Sequence, residues 1–119
     1  MMMSSPPAVA YKVLTSGQMA QFKADGVCRG APVDLADGFI HLSTAEQLTE
    51  TVDKHFAGQD GLHVVAVDLA QLGEAVRWEP SRGGALFPHI YADLPWSAAI
   101  ASGPLQRDTA GQVILPVAD

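Results

Sequence analysis

Gly38-Phe39-Ile40-His41-Leu42-Ser43-Thr44-Ala45-Glu46-Gln47 is the stretch on which the fold turns. Its first six residues are short and mostly apolar and read as a strand, in which Phe39, His41 and Ser43 share one face while Ile40 and Leu42 take the other. Thr44 and Gln47 then stand at capping-box spacing, where each side chain satisfies the other residue's backbone N–H. Leu48, Val52 and Phe56 continue as the apolar stripe of a helix that Gly58 stops.

Upstream, Val9–Leu14 is an apolar strand enclosing Tyr11. Ser16 is the expected N-cap of a helix carrying Met19, Phe22 and Lys23, with Gly26 as its left-handed end. Residues 27–38 hold Gly30, Pro32, Asp34 and Asp37 and read as a loop. Downstream, residues 62–68 (Leu-His-Val-Val-Ala-Val-Asp) are β-branched and uncharged until their end, the mark of a central strand. Residues 75–79 read as a further strand, and Pro80-Ser81-Arg82-Gly83-Gly84 as a turn. Pro88 interrupts residues 86–91, which are expected at an edge or a bulge. Residues 96–105 and 112–115 form a late hairpin through Asp108-Thr109-Ala110-Gly111. The sum is an α+β fold with five or six strands, mostly antiparallel toward the C-terminus, and two main helices.

With 119 residues the chain is one domain, read as residues 9–119 behind a flexible Pro- and Ser-containing lead over residues 1–8. Hydrophobic residues make up 48% and charged residues 17%, which excludes disorder, coiled coil and collagen-like sequence. The longest apolar run is far short of the roughly 20 residues that span a bilayer. Seven Lys and Arg against thirteen Asp and Glu give a net charge of −6, which repels a phosphate backbone and an anionic membrane. Non-specific DNA and membrane are therefore not expected partners, while a small anion in a local basic pocket remains compatible. Cys28 stands alone, without a disulfide partner or zinc spacing, and residues 1–10 carry no export signal, so a cytoplasmic location is expected.

Three polar groups stand out on this apolar chain. His41 and Ser43 lie on one face of a strand and beside a helix N-terminus, which suits a ligand site; they equally suit a histidine bonded to backbone and a serine assisting the cap. Arg82, Gly83 and Gly84 offer a guanidinium fork and open backbone N–H groups to an anion, or simply close a hairpin. In Phe87-Pro88-His89-Ile90-Tyr91, His89 and Tyr91 can stack on and bond a planar ring, or lie at a core edge. His55 and His63 lack metal-ligand spacing, so no metal is expected. No Gly-x-Ser-x-Gly elbow, Walker loop or Gly-x-Gly-x-x-Gly is present.

The segment from Gly38 to Gln47, the pair Trp78-Glu79, and Arg82-Gly83-Gly84 with Phe87-Pro88-His89-Ile90-Tyr91 occur in the order found in the bacterial family catalogued as domain of unknown function 952, which the chain resembles from about Tyr11 to Leu105. That family in turn resembles a divergent ADP-ribosyltransferase, an α+β split sheet whose cleft holds NAD. The resemblance implies that His41 and Ser43 line a nucleotide cleft, that Glu79 is the ribose-binding carboxylate, and that Arg82, His89 and Tyr91 contact phosphate and ring. It makes Glu79, His41 and His89 the catalytic candidates and Ser43, Arg82, Gly83 and Tyr91 the binding ones. NAD or ADP-ribose is then the implied ligand, and ADP-ribosyl or phosphate transfer the implied chemistry. The first strand offers Tyr11 and Lys12 where the resemblance implies His or Arg, and no paired carboxylates precede a late strand. Those departures define a second expectation, a non-catalytic ligand-sensing or protein-interaction module on the same fold. A low charge fraction alone suggests a third, a homo-oligomeric structural protein.

Overall fold

In chain order the elements are β1 (Val9–Leu14), α1 (Ser16–Asp25), β2 (Val27–Cys28), α2 (Pro32–Asp37), β3 (Ile40–His41), α3 (Ala45–His55), β4 (His63–Asp68), β5 (Val76–Pro80), β6 (Leu86–Ile90), β7 (Leu94–Pro95) and β8 (Ala99–Pro104). They come from a computed structural model that describes residues 8–116, the side chain of Arg82 excepted. Of the lead expected over residues 1–8, only Ala8 falls within that range, where its carbonyl accepts from the Leu69 N–H at 2.9 Å; the rest lies outside the described residues. No helix among the described residues is long and apolar enough to cross a membrane.

The strands pair antiparallel throughout, in the orders β1-β4-β8, β3-β6-β5 and β2-β7. The two three-stranded sheets meet at a seam: Tyr11 N–H donates to the Ser43 carbonyl at 2.7 Å, and Ser43 N–H to the Tyr11 carbonyl at 2.9 Å. The α+β class is therefore as read, with three helices in place of two. Strand β4 sits centrally in its sheet and is buried on both faces, which accounts for its unbroken apolar sequence. Val65 and Val67 enter a core with Ala10, Leu14, Phe22, Ile40 and Ile90, while Val64 joins Val13, Leu48, Val52 and Val113 on the opposite side.

Helix α3 begins as its sequence dictates, with both halves of the Thr44–Gln47 capping box formed. Helix α1 starts one residue earlier than expected: Thr15, not Ser16, is the N-cap, because Gln18 stands three residues after Thr15 and closes a reciprocal box. Gly26 ends α1 at φ 74° as expected.

Three further expectations are corrected. The segment read as a loop over residues 27–38 contains β2 and α2. Pro32 at the first helical turn and Gly38 just past the end, at φ 88°, are helix punctuation rather than loop chemistry. Strand β6 is the middle strand of its sheet, despite Pro88. Ile40 faces Ile90 and His41 faces His89; the next pair would be Leu42 and Pro88, where the Leu42 N–H still donates to the Pro88 carbonyl at 3.1 Å. The missing proline N–H falls where β3 ends, so one bond is lost at the end of a ladder and not in its middle. Finally, β8 pairs with β4 and not with the C-terminal segment. The late hairpin is a smaller one, closed by the Arg107–Val113 bridge and by Asp108 N–H to the Gln112 carbonyl at 2.9 Å.

Candidate functional site

Along β1, alternation places Lys12 on the face it shares with Ala10 and Leu14, so a charged side chain enters the interior. It is 6% exposed and is paired there with Asp34, which is 1% exposed. The Lys12 Nζ donates to Asp34 Oδ2 at 2.7 Å and to the His41 carbonyl at 3.1 Å. Asp34 also accepts from Ala31 N–H at 2.8 Å and from His41 N–H at 3.1 Å, and its Oδ1 lies 2.6 Å from His41 Nδ1. Burial alone would push the Asp34 carboxyl up; the Lys12 charge and hydrogen bond, then the bonds from His41 and Ala31, outweigh it and hold the carboxyl below its usual range. The far side of the His41 ring meets a second carboxylate, Nε2 lying 3.0 Å from Asp37 Oδ2.

His41 and His89 are separated by much of the chain, and the β3–β6 register makes them direct cross-strand partners. Their rings stand edge to face with centroids 5.3 Å apart. Phe39 is stacked on His89 at 4.1 Å and 27° and also touches the rings of His41 and Tyr91. His89 Nδ1 lies 2.8 Å from Glu79 Oε1, and the Tyr91 hydroxyl donates to the same oxygen at 2.8 Å. These two hydrogen bonds, from His89 first and then from Tyr91, hold the Glu79 carboxyl below its usual range, and the bond to Glu79 raises the Tyr91 hydroxyl. The Arg77 guanidinium lies over the Tyr91 ring at 4.8 Å, within the range of a cation–π contact. His89 Nε2 is buried and has no hydrogen-bond partner among the described residues.

Beside the seam lies a cavity of about 580 Å³, within the range of pockets that enclose cofactor-sized ligands. Its walls include Lys12, Asp34, Asp37, His41, Ser43 and His89. A second cavity lies between α1 and Cys28 and measures about 130 Å³. It is too small for a nucleotide.

The structure thus brings His41, Ser43 and His89 to one wall, and ties Glu79 and Tyr91 to that wall through the His89 ring. Ser43 is 4% exposed, with its hydroxyl 2.9 Å from Thr51 Oγ1. The α3 N-terminus that the sequence offered to a ligand spends its Gln47 N–H on Thr44, at 3.2 Å. Gly83 lies in an exposed turn at φ 71°, and the side chain of Arg82 lies outside the described residues. Sequence reasoning missed Asp34 and Asp37, because their segment was read as a loop, and Phe39 as the ring that joins the two histidines. The Pro32-to-Gly38 punctuation was the available signal for the helix that carries both aspartates.

Fold and site define a class: a small α+β domain of two antiparallel half-sheets, with a carboxylate-tethered histidine pair on the wall of a cavity at their seam. The chain belongs to the family described as Protein of unknown function (DUF952), whose model matches residues 13–102. It is similar to protein CC0527 from Caulobacter crescentus. The crystal structure of that protein is 45% identical, with a TM-score of 0.81, covering 89% of this chain and 93% of that one. Its solution NMR structure is 46% identical, with a TM-score of 0.76, covering 90% and 91%. No functionally curated protein matches the chain.

Proposed function

We propose that this chain binds a nucleotide of the NAD and ADP-ribose class in the cavity at the seam, on an ADP-ribosyltransferase-like fold. The observation that carries the reading is the cross-strand pair His41 and His89, meeting on the wall of a 580 Å³ cavity. The split between the half-sheets β1-β4-β8 and β3-β6-β5 supports it, since a cleft between half-sheets is where the resemblance places NAD. Lys12 adds a basic residue from the first strand, although one already paired with Asp34. In this reading Ser43, Gly83, Arg82 and Tyr91 belong to the binding surface, and ADP-ribosyl or phosphate transfer is the chemistry that His41, His89 and Glu79 would serve.

Ligand-observed NMR with NAD, ADP-ribose, AMP and a 2′-phosphorylated dinucleotide tests it, wild type beside His41→Ala. Saturable binding by the wild type that His41→Ala loses is the expected result. If none of the four binds, the nucleotide reading fails.

A specific observation favours a second reading, binding without turnover. Both ring nitrogens of His41 face carboxylates, and the Ser43 hydroxyl is within bonding distance of Thr51, so much of the polar wall is already satisfied within the chain. Release of nicotinamide from NAD separates the two: Glu79-dependent release identifies an enzyme, and binding without release a sensor or interaction module.

A further inference from the structure

The ring of His41 is held from two sides by one helix. Asp34 Oδ1 lies 2.6 Å from its Nδ1, and Asp37 Oδ2 lies 3.0 Å from its Nε2. Asp34 also takes the Lys12 ammonium and the N–H groups of Ala31 and His41, which is the bonding of an ionised carboxylate. The Asp37 side chain is 48% exposed, so water solvates its charge. Carboxylates of this kind only accept, so the ring donates at both nitrogens, and it carries two N–H groups only as the imidazolium.

The two contacts differ in access. Asp34 is buried, and displacing it would strand the Lys12 charge in the interior. The Nε2 contact joins two half-exposed side chains, and both residues line the large cavity. Asp37 is the last residue of α2, so turning its carboxylate toward water frees Nε2 without breaking a helix or strand bond. A carboxylate oxygen therefore already marks a position for an anionic oxygen at the cavity wall. Lys12 does not compete for such an oxygen: it is the one Lys or Arg among the described residues that line the cavity, and its ammonium is spent on Asp34.

We propose that Asp37 is a built-in competitor for the anion site of the cavity: its carboxylate holds the Nε2–H of the His41 imidazolium until a phosphoryl oxygen of the ligand displaces it. This rests on the nucleotide reading and deepens it, by assigning the phosphate to the His41 wall. Asp34 keeps its bonds throughout and acts as a positioning residue, holding the ring charged and aimed. The exchange swaps one charged acceptor for another and makes or breaks hydrogen bonds only. A half-exposed ion pair resists such an exchange by no more than about fivefold in affinity.

Titrations of the full-length ¹⁵N-labelled chain just below neutral pH, followed by ¹H–¹⁵N spectra, test the proposal with ADP-ribose, adenosine and inorganic phosphate as probes. Asp37→Asn and Asp37→Ala should each bind ADP-ribose and phosphate about fivefold more tightly than the wild type, with no gain for adenosine. Glu74→Gln makes the same change in net charge on an exposed residue outside the cavity lining, and should bind as the wild type does. Adding His41→Gln to Asp37→Asn should abolish the gain. Long-range spectra of the ligand-free wild type should show both His41 ring nitrogens protonated, the signals being assigned by their loss in His41→Gln. A His41 ring with one proton overturns the proposal, as does a gain shared by adenosine or by Glu74→Gln. If ADP-ribose binds the Asp37 variants no more tightly than the wild type, the proposal fails and the nucleotide reading stands. If phosphate alone binds, and gains in the Asp37 variants, the nucleotide reading fails and the anion site stands. If no probe binds any of the proteins, both fail.

Discussion

Replacing Lys12 by methionine keeps an unbranched side chain, one atom shorter, and removes its charge from the interior. In the folded chain the ammonium makes two bonds, to Asp34 Oδ2 at 2.7 Å and to the His41 carbonyl at 3.1 Å. Deleting one partner of a buried ion pair costs about 3–5 kcal/mol, because the remaining charge is left desolvated. Asp34 keeps the N–H donors of Ala31 and His41 and its contact with His41 Nδ1, which places Lys12→Met near the lower end, about 3 kcal/mol. A small domain has only about 5–15 kcal/mol in total, and a urea m-value of roughly 1–3 kcal/mol/M turns the loss into a midpoint lowered by about 1–3 M.

The pH dependence of that loss is the sharper test. In the wild type the Asp34 carboxyl is held below its ordinary value of 3.8, so its stabilising contribution is present above that value and is lost as pH falls through the lower folded one. In the variant the Lys12 charge and hydrogen bond are gone, so burial, opposed only by the bonds from His41 and Ala31, should move the carboxyl upward from its wild-type position. Protonation then relieves the desolvated charge. The difference between the two proteins should be full at neutral pH and shrink as the solution is acidified toward the ordinary aspartate range. Lys12→Met/Asp34→Asn, which removes both charges, should recover a large part of the loss at neutral pH. Urea unfolding of the three proteins across that pH range gives the answer. A neutral-pH loss under about 1 kcal/mol, or one that does not change with pH, would refute the buried-pair account.

Three further substitutions probe the frame that holds the site. Gly38 sits at φ 88° with open space around its would-be Cβ. Gly38→Ala should therefore cost only the left-handed strain, about 1–2 kcal/mol by urea unfolding. Gly30→Ala should cost more in the same assay, because its Cβ would lie 2.8 Å from the Cβ of the pinned Asp34. Thr44→Ala removes the side chain that caps α3 and should cost about 1 kcal/mol, again by urea unfolding.

Features governed by local chemistry were legible in the sequence. The Thr44–Gln47 box and the apolar run of β4 appear where the sequence put them, while the strand expected over residues 38–43 is shorter, Ile40–His41, with Ser43 joined to Tyr11 by a separate bridge. His41, Ser43 and His89 could be singled out as polar residues on apolar segments, and all three line the cavity. That His41 meets His89 was beyond any local rule, because it depends on the register of β3 against β6. Pro88 argued for an edge by local rule and was overridden by a ladder that ends where the proline begins. Lys12 carries no signal of burial in the sequence: its pairing with Asp34 depends on a helix in a segment whose residues read as a loop.

The seam between the half-sheets bears on how the molecule opens. β1 and β4 pair along six residues, whereas the two three-stranded leaves share the paired backbone bonds of Tyr11 and Ser43. Backbone pairing is therefore extensive within a leaf and sparse between leaves, which are otherwise joined by the Lys12 bond to the His41 carbonyl and by the core that Val65 and Val67 share with Ile40 and Ile90. Local unfolding takes the route that breaks the fewest contacts. Tyr11 and Ser43 themselves line the cavity, so the sparsest stitching between the leaves runs along the compartment a ligand would enter.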